Sequence, residues 1–272
     1  CGSIEARNKK AGAECTRHPA KQKNKEKGSI LMPKIIVTAS IKGGTGKSTT
    51  TVLLSRHLAE RGRRVLVVDM DPQASCTDYY CRAEQADTIA AACTYQLLTE
   101  RADLADILRP GVLGLDIAPS APILATADLE LATDPGALLR FRDAITSGGH
   151  DVILIDTPPV LSAGMRAALY AADLALVPVQ LDRWTLQGLG MLHSAAVKAT
   201  RTTGQPCPVL CVPSIVSPKE TEDLRTVLAK YDITQTAIPR SASVRRALAK
   251  AGLPGKGVLE AVEALAAEIV EG

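Results

Sequence analysis

Six apolar runs, at 34–40, 64–69, 114–118, 151–156, 173–180 and 207–213, are separated by stretches of helical spacing. Each run reads as continuous Val, Ile, Leu or Ala rather than as alternating apolar and polar positions. Strands buried on both faces have this pattern, so it predicts an α/β fold: a mostly parallel central sheet with helices on both faces. Aromatic residues are only 3% of a chain that is 46% hydrophobic, so the core must be aliphatic. From Met32 onward the chain is long enough for a single domain with a substantial core.

Residues 1–31 break the pattern. They carry eight Lys/Arg against three Glu and almost no apolar periodicity, which predicts a disordered basic tail. Two readings of the tail stand: a non-native extension upstream of the start-like Met32-Pro33-Lys34, or a basic arm for DNA or membrane. The tail's charge of +5 leaves −2 for the remainder of a chain whose total is +3, so overall basicity implies no nucleic-acid partner. The local distribution is more informative. From Ile233 to Leu259 there is no acid, yet Arg240, Arg245, Arg246, Lys250 and Lys256 occur. No stretch is long and apolar enough to span a membrane, and a cytoplasmic location is expected. The seven cysteines show no zinc spacing: Cys207 and Cys211 are expected to pack in a strand, and Cys76, Cys81 and Cys93 fall in a polar segment.

The densest chemistry follows the first strand. Lys42-Gly43-Gly44-Thr45-Gly46-Lys47-Ser48-Thr49 leads into a helical pattern from Thr50 to Arg61 that stops at Gly62. Glycines let backbone N–H groups curl around phosphate oxygens, and a helix start adds partial positive charge. In such a loop Lys47 reaches the β- and γ-phosphates and Ser48 holds Mg²⁺. The strict phosphate-loop pattern would need Gly where Ile41 stands. The chain instead has a second lysine, Lys42, whose side chain is free to point outward, toward another subunit's nucleotide.

This loop resembles the deviant Walker A motif of the ParA/MinD superfamily, and further motifs follow in order. Asp69-Met-Asp71-Pro72-Gln73 is similar to the family's second-strand motif, and Asp151-Val-Ile-Leu-Ile-Asp156-Thr-Pro158-Pro159 to its Walker B strand. Ala172-Asp173 through Gln180, Leu186-Gln-Gly188-Leu and Ile238-Pro239-Arg240 match later segments, so the resemblance runs from Met32 to about Gly255. It implies an ATP- and Mg²⁺-dependent ATPase. Gly43 through Thr49 would cradle the phosphates, Lys47 would neutralise them, Ser48 and Asp156 would hold the metal, and Asp71 would orient the attacking water. Asp69, one step inside, reads as structural or as support for the site. Two ATP molecules would be sandwiched in a homodimer, each touched by the partner's Lys42, with adenine near Pro239. Trp184 is expected to fill a core or an interface.

Three function classes remain. The leading one is a ParA-like partition ATPase acting on plasmid or chromosome, or positioning protein cargo. Its ATP-bound dimer would bind double-stranded DNA non-specifically through Arg245, Arg246 and Lys250, associate with the nucleoid, and be discharged by a ParB-like activator. The alternative is a MinD-like membrane-cycling ATPase. Its membrane helix would be basic and amphipathic, whereas residues 257–272 carry Glu260, Glu263, Glu268 and Glu271 with no Lys or Arg. That segment is expected to pack on the domain. The third class is a small-molecule ligase on the same fold, disfavoured by Lys42 together with the Asp69–Asp71 motif.

Overall fold

The computed structural model describes residues 32–271 except 133, 135 and 251, and for Arg245 and Glu271 the backbone alone. The expected basic tail lies outside the described residues. The chain opens with β1 (Lys34–Thr38), α1 (Lys47–Glu60), β2 (Val65–Asp69) and α2 (Ser75–Tyr80). Short helices α3 (Ala86–Ala91), α4 (Thr94–Leu98) and α5 (Leu104–Ile107) precede β3 (Arg109–Pro110) and β4 (Asp116–Ala118). There follow α6 (Ala127–Leu131), α7 (Ala137–Thr146), β5 (Val152–Asp156), α8 (Ala163–Ala171), β6 (Leu174–Val179) and α9 (Thr185–Thr203). The chain closes with β7 (Val209–Val216), α10 (Pro218–Val227), β8 (Ile238–Pro239), α11 (Ala242–Ala249) and α12 (Lys256–Ala266).

Among the described residues one eight-stranded sheet forms, in the order β3-β4-β2-β5-β1-β6-β7-β8, parallel except for β3. Every apolar run of the sequence became a strand. Residues 65–68 and 153–155 are entirely excluded from solvent, as two-sided burial requires. Truncating one of these, such as Ile153→Ala, costs about 2–5 kcal/mol through the cavity it leaves. The short edge strands β3 and β8 were not expected, since two residues carry no periodic signal. β7 runs to Val216, beyond the expected end at Pro213, through a bulge between Ser214 and Val216 with Ile215 at φ +59°.

Register sets the functional edge. Asp156 pairs with Thr38 of β1 on one side and Asp69 of β2 on the other, so three central strands end level. The loops after them carry the phosphate-loop motif, Asp71, and Pro158-Pro159, and all open at the carboxyl edge where ligands of open α/β sheets bind. At the C-terminus, α12 buries Val258, Val262, Leu265 and Ala266, and Arg61 at the end of α1 pairs with its Glu263. The acidic helix packs on the domain, as its sequence implies.

Candidate functional site

Gly46 is the pivot of the glycine loop. Its φ is +96°, and a Cβ there would stand 2.8 Å from Ser214 Oγ, so both conformation and space demand glycine. α1 starts at Lys47, three residues before its apolar spacing begins, because the glycine loop itself turns into the helix. The first N–H groups of α1 have no acceptor within the helix, and neither a capping side chain nor an acidic residue in the first turn serves them. Thr45 Oγ1 and Thr50 Oγ1 are buried without a hydrogen-bond partner. Unspent donors at a positive helix end form an anion site. The amides of the first turn border a cavity of about 610 Å³ lined by Gly43, Gly44, Gly46, Lys47, Ser48 and Thr49 on one wall, which Thr45 and Thr50 do not line. Asp71, Tyr79, Arg82, Ile215 and Leu248 also border it.

The two lysines of the loop face opposite ways. Lys47 is buried along this cavity, and its Nζ donates to the Lys42 carbonyl at 3.2 Å. Desolvation lowers its pKa, opposed by the charges of Asp156 and Asp71. Lys42 lies outside the cavity wall, with its Nζ 2.7 Å from Asp182 Oδ2. Asp182 also accepts from Trp184 N at 2.8 Å and Thr185 Oγ1 at 2.9 Å. Partial burial would raise the Asp182 pKa, but these donors, Lys42 foremost, hold it below the usual carboxylate range.

The three carboxylates differ in employment. Asp69 is fully buried and accepts from Thr77 N and Thr77 Oγ1 at 2.9 Å and from Asp71 N at 3.1 Å. Those bonds make it the clamp of the following turn. Asp71 borders the cavity and accepts only Gln73 N, at 2.9 Å, through Oδ1. Asp156 is fully buried and does not itself line the cavity, and its Oδ1 has no hydrogen-bond partner. Burial raises the pKa of Asp69 and the charge of Asp156 adds to that; burial also raises Asp156, against the Ser48 hydroxyl and the Lys47 charge.

Other expectations fall differently. Pro239 stands in β8 and does not line the cavity; the apolar residues there include Val52, Pro159, Ile215 and Leu248. Trp184 is 57% exposed at the start of α9, so it fills no core. Cys76, Cys81 and Cys93 are buried although their segment reads as polar, and Cys207 and Cys211 pack inside as expected. Arg246 and Lys250 are exposed on and just after α11, while the Arg245 side chain is not described. Neither Asp182 nor Cys76 was singled out by sequence. An acid two residues past the β6 motif was a usable signal for the first; nothing marked the second.

A family model described as an AAA domain matches residues 33–205. The sporulation initiation inhibitor protein Soj of Bacillus subtilis is 38% identical over 164 residues, which is 59% of this chain and 64% of Soj. A solved protein of Borrelia burgdorferi B31, assigned to plasmid partition and bound to AMPPNP, superposes with a TM-score of 0.71. It is 26% identical, and the match covers 87% of this chain and 98% of that one. A cobyrinic acid a,c-diamide synthase from Mycobacterium smegmatis, with bound ADP and magnesium, reaches a TM-score of 0.75 at 24% identity, covering 86% and 93%. That likeness shows the fold alone. The chain spans about three fifths of the length of the curated relatives it matches. With the family model covering more than half of the chain and the two-lysine loop in place, the chain belongs to the ParA family of AAA-domain P-loop proteins.

Proposed function

We propose that this chain is a Mg²⁺-dependent ATPase that couples ATP binding to homodimerisation and non-specific binding of double-stranded DNA. It would serve plasmid or chromosome partition or the positioning of protein cargo. A ParB-like activator would trigger hydrolysis, in the cytoplasm and on the nucleoid. The observation that carries the reading is the division of one loop's lysines, Lys47 toward the cavity and Lys42 away from it. A monomeric ligase needs only the first. Several curated relatives carry partition names, among them a chromosome-partitioning ATPase from Thermus thermophilus and a chromosome partitioning protein ParA from Myxococcus xanthus.

The residues fit a nucleotide and its metal. The uncapped first amides of α1 suit phosphate oxygens, and Ser48 with the unpartnered Oδ1 of Asp156 offers the hard oxygen donors that Mg²⁺ takes. The metal, when bound, supplies charge neutralisation to the β- and γ-phosphates. Lys47 adds a desolvated cation to the same charge, exchanging its present carbonyl acceptor for phosphate. Asp71, with an oxygen uncommitted beside the cavity, orients the attacking water. Ile215 and Leu248 offer apolar surface to a base. Lys42 would leave Asp182 for the partner's phosphates.

A membrane-cycling role finds no support: the apolar face of α12 is spent on the core, and no described helix is long and apolar enough to cross a membrane. Light scattering with AMPPNP and Mg²⁺ tests the proposal. A shift from monomer to dimer that Mg²⁺ and nucleotide together produce is expected. A protein that binds nucleotide yet stays monomeric at all concentrations overturns the dimer cycle and returns the ligase class.

A further inference from the structure

We propose that Cys76 is a positioning residue for Asp156, fixing that carboxylate so that one oxygen alone is offered to the metal side of the site. The inference rests on the assignment of Asp156 to Mg²⁺ and deepens it.

The first turn of α2 follows Asp71 closely and lies against the level ends of β2 and β5. Cys76 there is fully buried, with Sγ 3.5 Å from Asp156 Oδ2 and 3.9 Å from the Ser48 carbonyl. Its neighbour Thr77 donates both its N–H and its hydroxyl to Asp69 Oδ2. Consecutive side chains of one turn therefore each take one of the two strand-end carboxylates. Thr77 takes the structural one, and Cys76 takes the one that faces the P-loop.

A buried carboxylate turns about its Cβ–Cγ bond unless something fixes it. In Asp156, Oδ2 is engaged by the thiol, whereas Oδ1 is buried and free of any partner. A buried unpartnered oxygen is costly, and it persists here in a carboxylate that the Ser48 hydroxyl and the Lys47 charge both influence. A donor on Oδ2 fixes which oxygen plays that part. A thiol is a weak donor, so it sets the orientation while drawing little charge from the carboxylate. Without it the Ser48 hydroxyl would remain as the one hydroxyl acting on Asp156, and the carboxylate would be free to turn an oxygen toward the Lys47 ammonium. The site would then reorganise before it could accept a cation.

Magnesium titrations of the full-length protein with a non-hydrolysable N-methylanthraniloyl ATP analogue test this without reference to turnover. Cys76→Ala should keep its affinity for the nucleotide in EDTA while the Mg²⁺ concentration for half-maximal fluorescence rises by about three- to tenfold, the range a weak hydrogen bond to a charged group supports. Cys76→Val fills the space without a donor and should show the same rise, so the effect survives should the smaller residue impair folding. Cys76→Ser restores a donor and should stay within about twofold of wild type. Wild-type Mg²⁺ dependence in Cys76→Val, or a Cys76→Ser variant as weak as Cys76→Ala, overturns the positioning role. If wild-type nucleotide binding does not respond to Mg²⁺ at all, the metal assignment fails and takes this inference with it.

Discussion

Lys42 Nζ stands 2.7 Å from Asp182 Oδ2, across the gap between the glycine loop and the start of α9. The lysine side chain is 42% exposed, so the pair contributes at most about 1 kcal/mol. A triphosphate presented by a second subunit carries several charges and would outcompete one screened carboxylate. The contact thus holds the lysine in reach without locking it. Lys42→Ala should change thermal stability little and still bind nucleotide, but elute as a monomer from size-exclusion columns run with ATP and Mg²⁺. Asp182→Asn keeps one acceptor oxygen, for the Trp184 amide, and leaves Thr185 its bond to the Gln180 carbonyl while removing the competing charge, and it should dimerise at least as readily as wild type. A Lys42→Ala protein that dimerises normally would remove the lysine from the interface.

Lys47 sets function against stability. Its burial disfavours the charged form, which is why its pKa is lowered. The sign for stability follows: the cost is fully present below the folded pKa, where the lysine is charged both folded and unfolded. It fades as pH rises past the folded pKa toward the ordinary lysine value. Lys47→Met keeps the aliphatic stem and removes the desolvated charge, so its melting temperature at pH 7 should match or exceed that of wild type. Nucleotide binding should fall by at least about a hundredfold, the order that loss of one preorganised charge contact produces. Calorimetry and fluorescent-nucleotide titration read the two effects; retained binding would reject the phosphate-loop assignment.

Two residues apart, Asp69 and Asp71 should fail in opposite ways. Asp69 accepts three hydrogen bonds in the core, so Asp69→Ala orphans the Thr77 donors and should cost about 2–4 kcal/mol of stability. Asp71 borders the cavity and holds only the Gln73 amide. Asp71→Ala should fold, bind ATP and dimerise, yet hydrolyse roughly 10²- to 10³-fold more slowly, as loss of a positioning base implies. Urea unfolding and single-turnover hydrolysis separate the pair. If both variants lose stability equally, Asp71 is another clamp.

How much of this was legible in the sequence depended on whether a signal was local. The central strands were readable because two-sided burial writes continuous aliphatic runs such as Val65–Val68. The glycine loop was readable because φ > 0 and close approach to Ser214 leave few residues that fit at Gly46. Contacts between distant segments were not. Asp182 meets Lys42 from 140 residues away, and Cys76 meets Asp156 from 80, so neither spacing carries the pairing. Trp184 was read as filling a core or an interface, and its exposed place at the head of α9 removes the core alternative alone. Pro239 stands in an edge strand, and part of the cavity's apolar wall comes from Ile215, whose bulge no propensity announces.

DNA binding should depend on α11 and on nucleotide together. Arg246 and Lys250 are exposed, and the helix that carries them is tied to the segment after Asp71. Arg82, just beyond α2, donates to the carbonyls of Leu248 at 3.1 Å and Ala249 at 2.6 Å, and Tyr79 donates to Gly252 at 3.2 Å. A basic surface fixed in this way to a turn that borders the nucleotide cavity is presented in one orientation per subunit. One subunit offers few phosphate contacts, and non-specific affinity rises steeply with their number, so a dimer binds where a monomer does not. The test belongs in a chain beginning at Met32, which lacks the eight basic residues of the tail. There, wild type should shift unrelated duplexes only with ATP and Mg²⁺, with a log–log salt slope of roughly −0.9 per phosphate neutralised. Arg246→Glu combined with Lys250→Glu should abolish the shift while light scattering still reports an ATP-dependent dimer. Normal DNA binding by that double variant would move the interface away from α11, and a wild type that ignores DNA under ATP would leave cargo positioning as the surviving form of the partition reading.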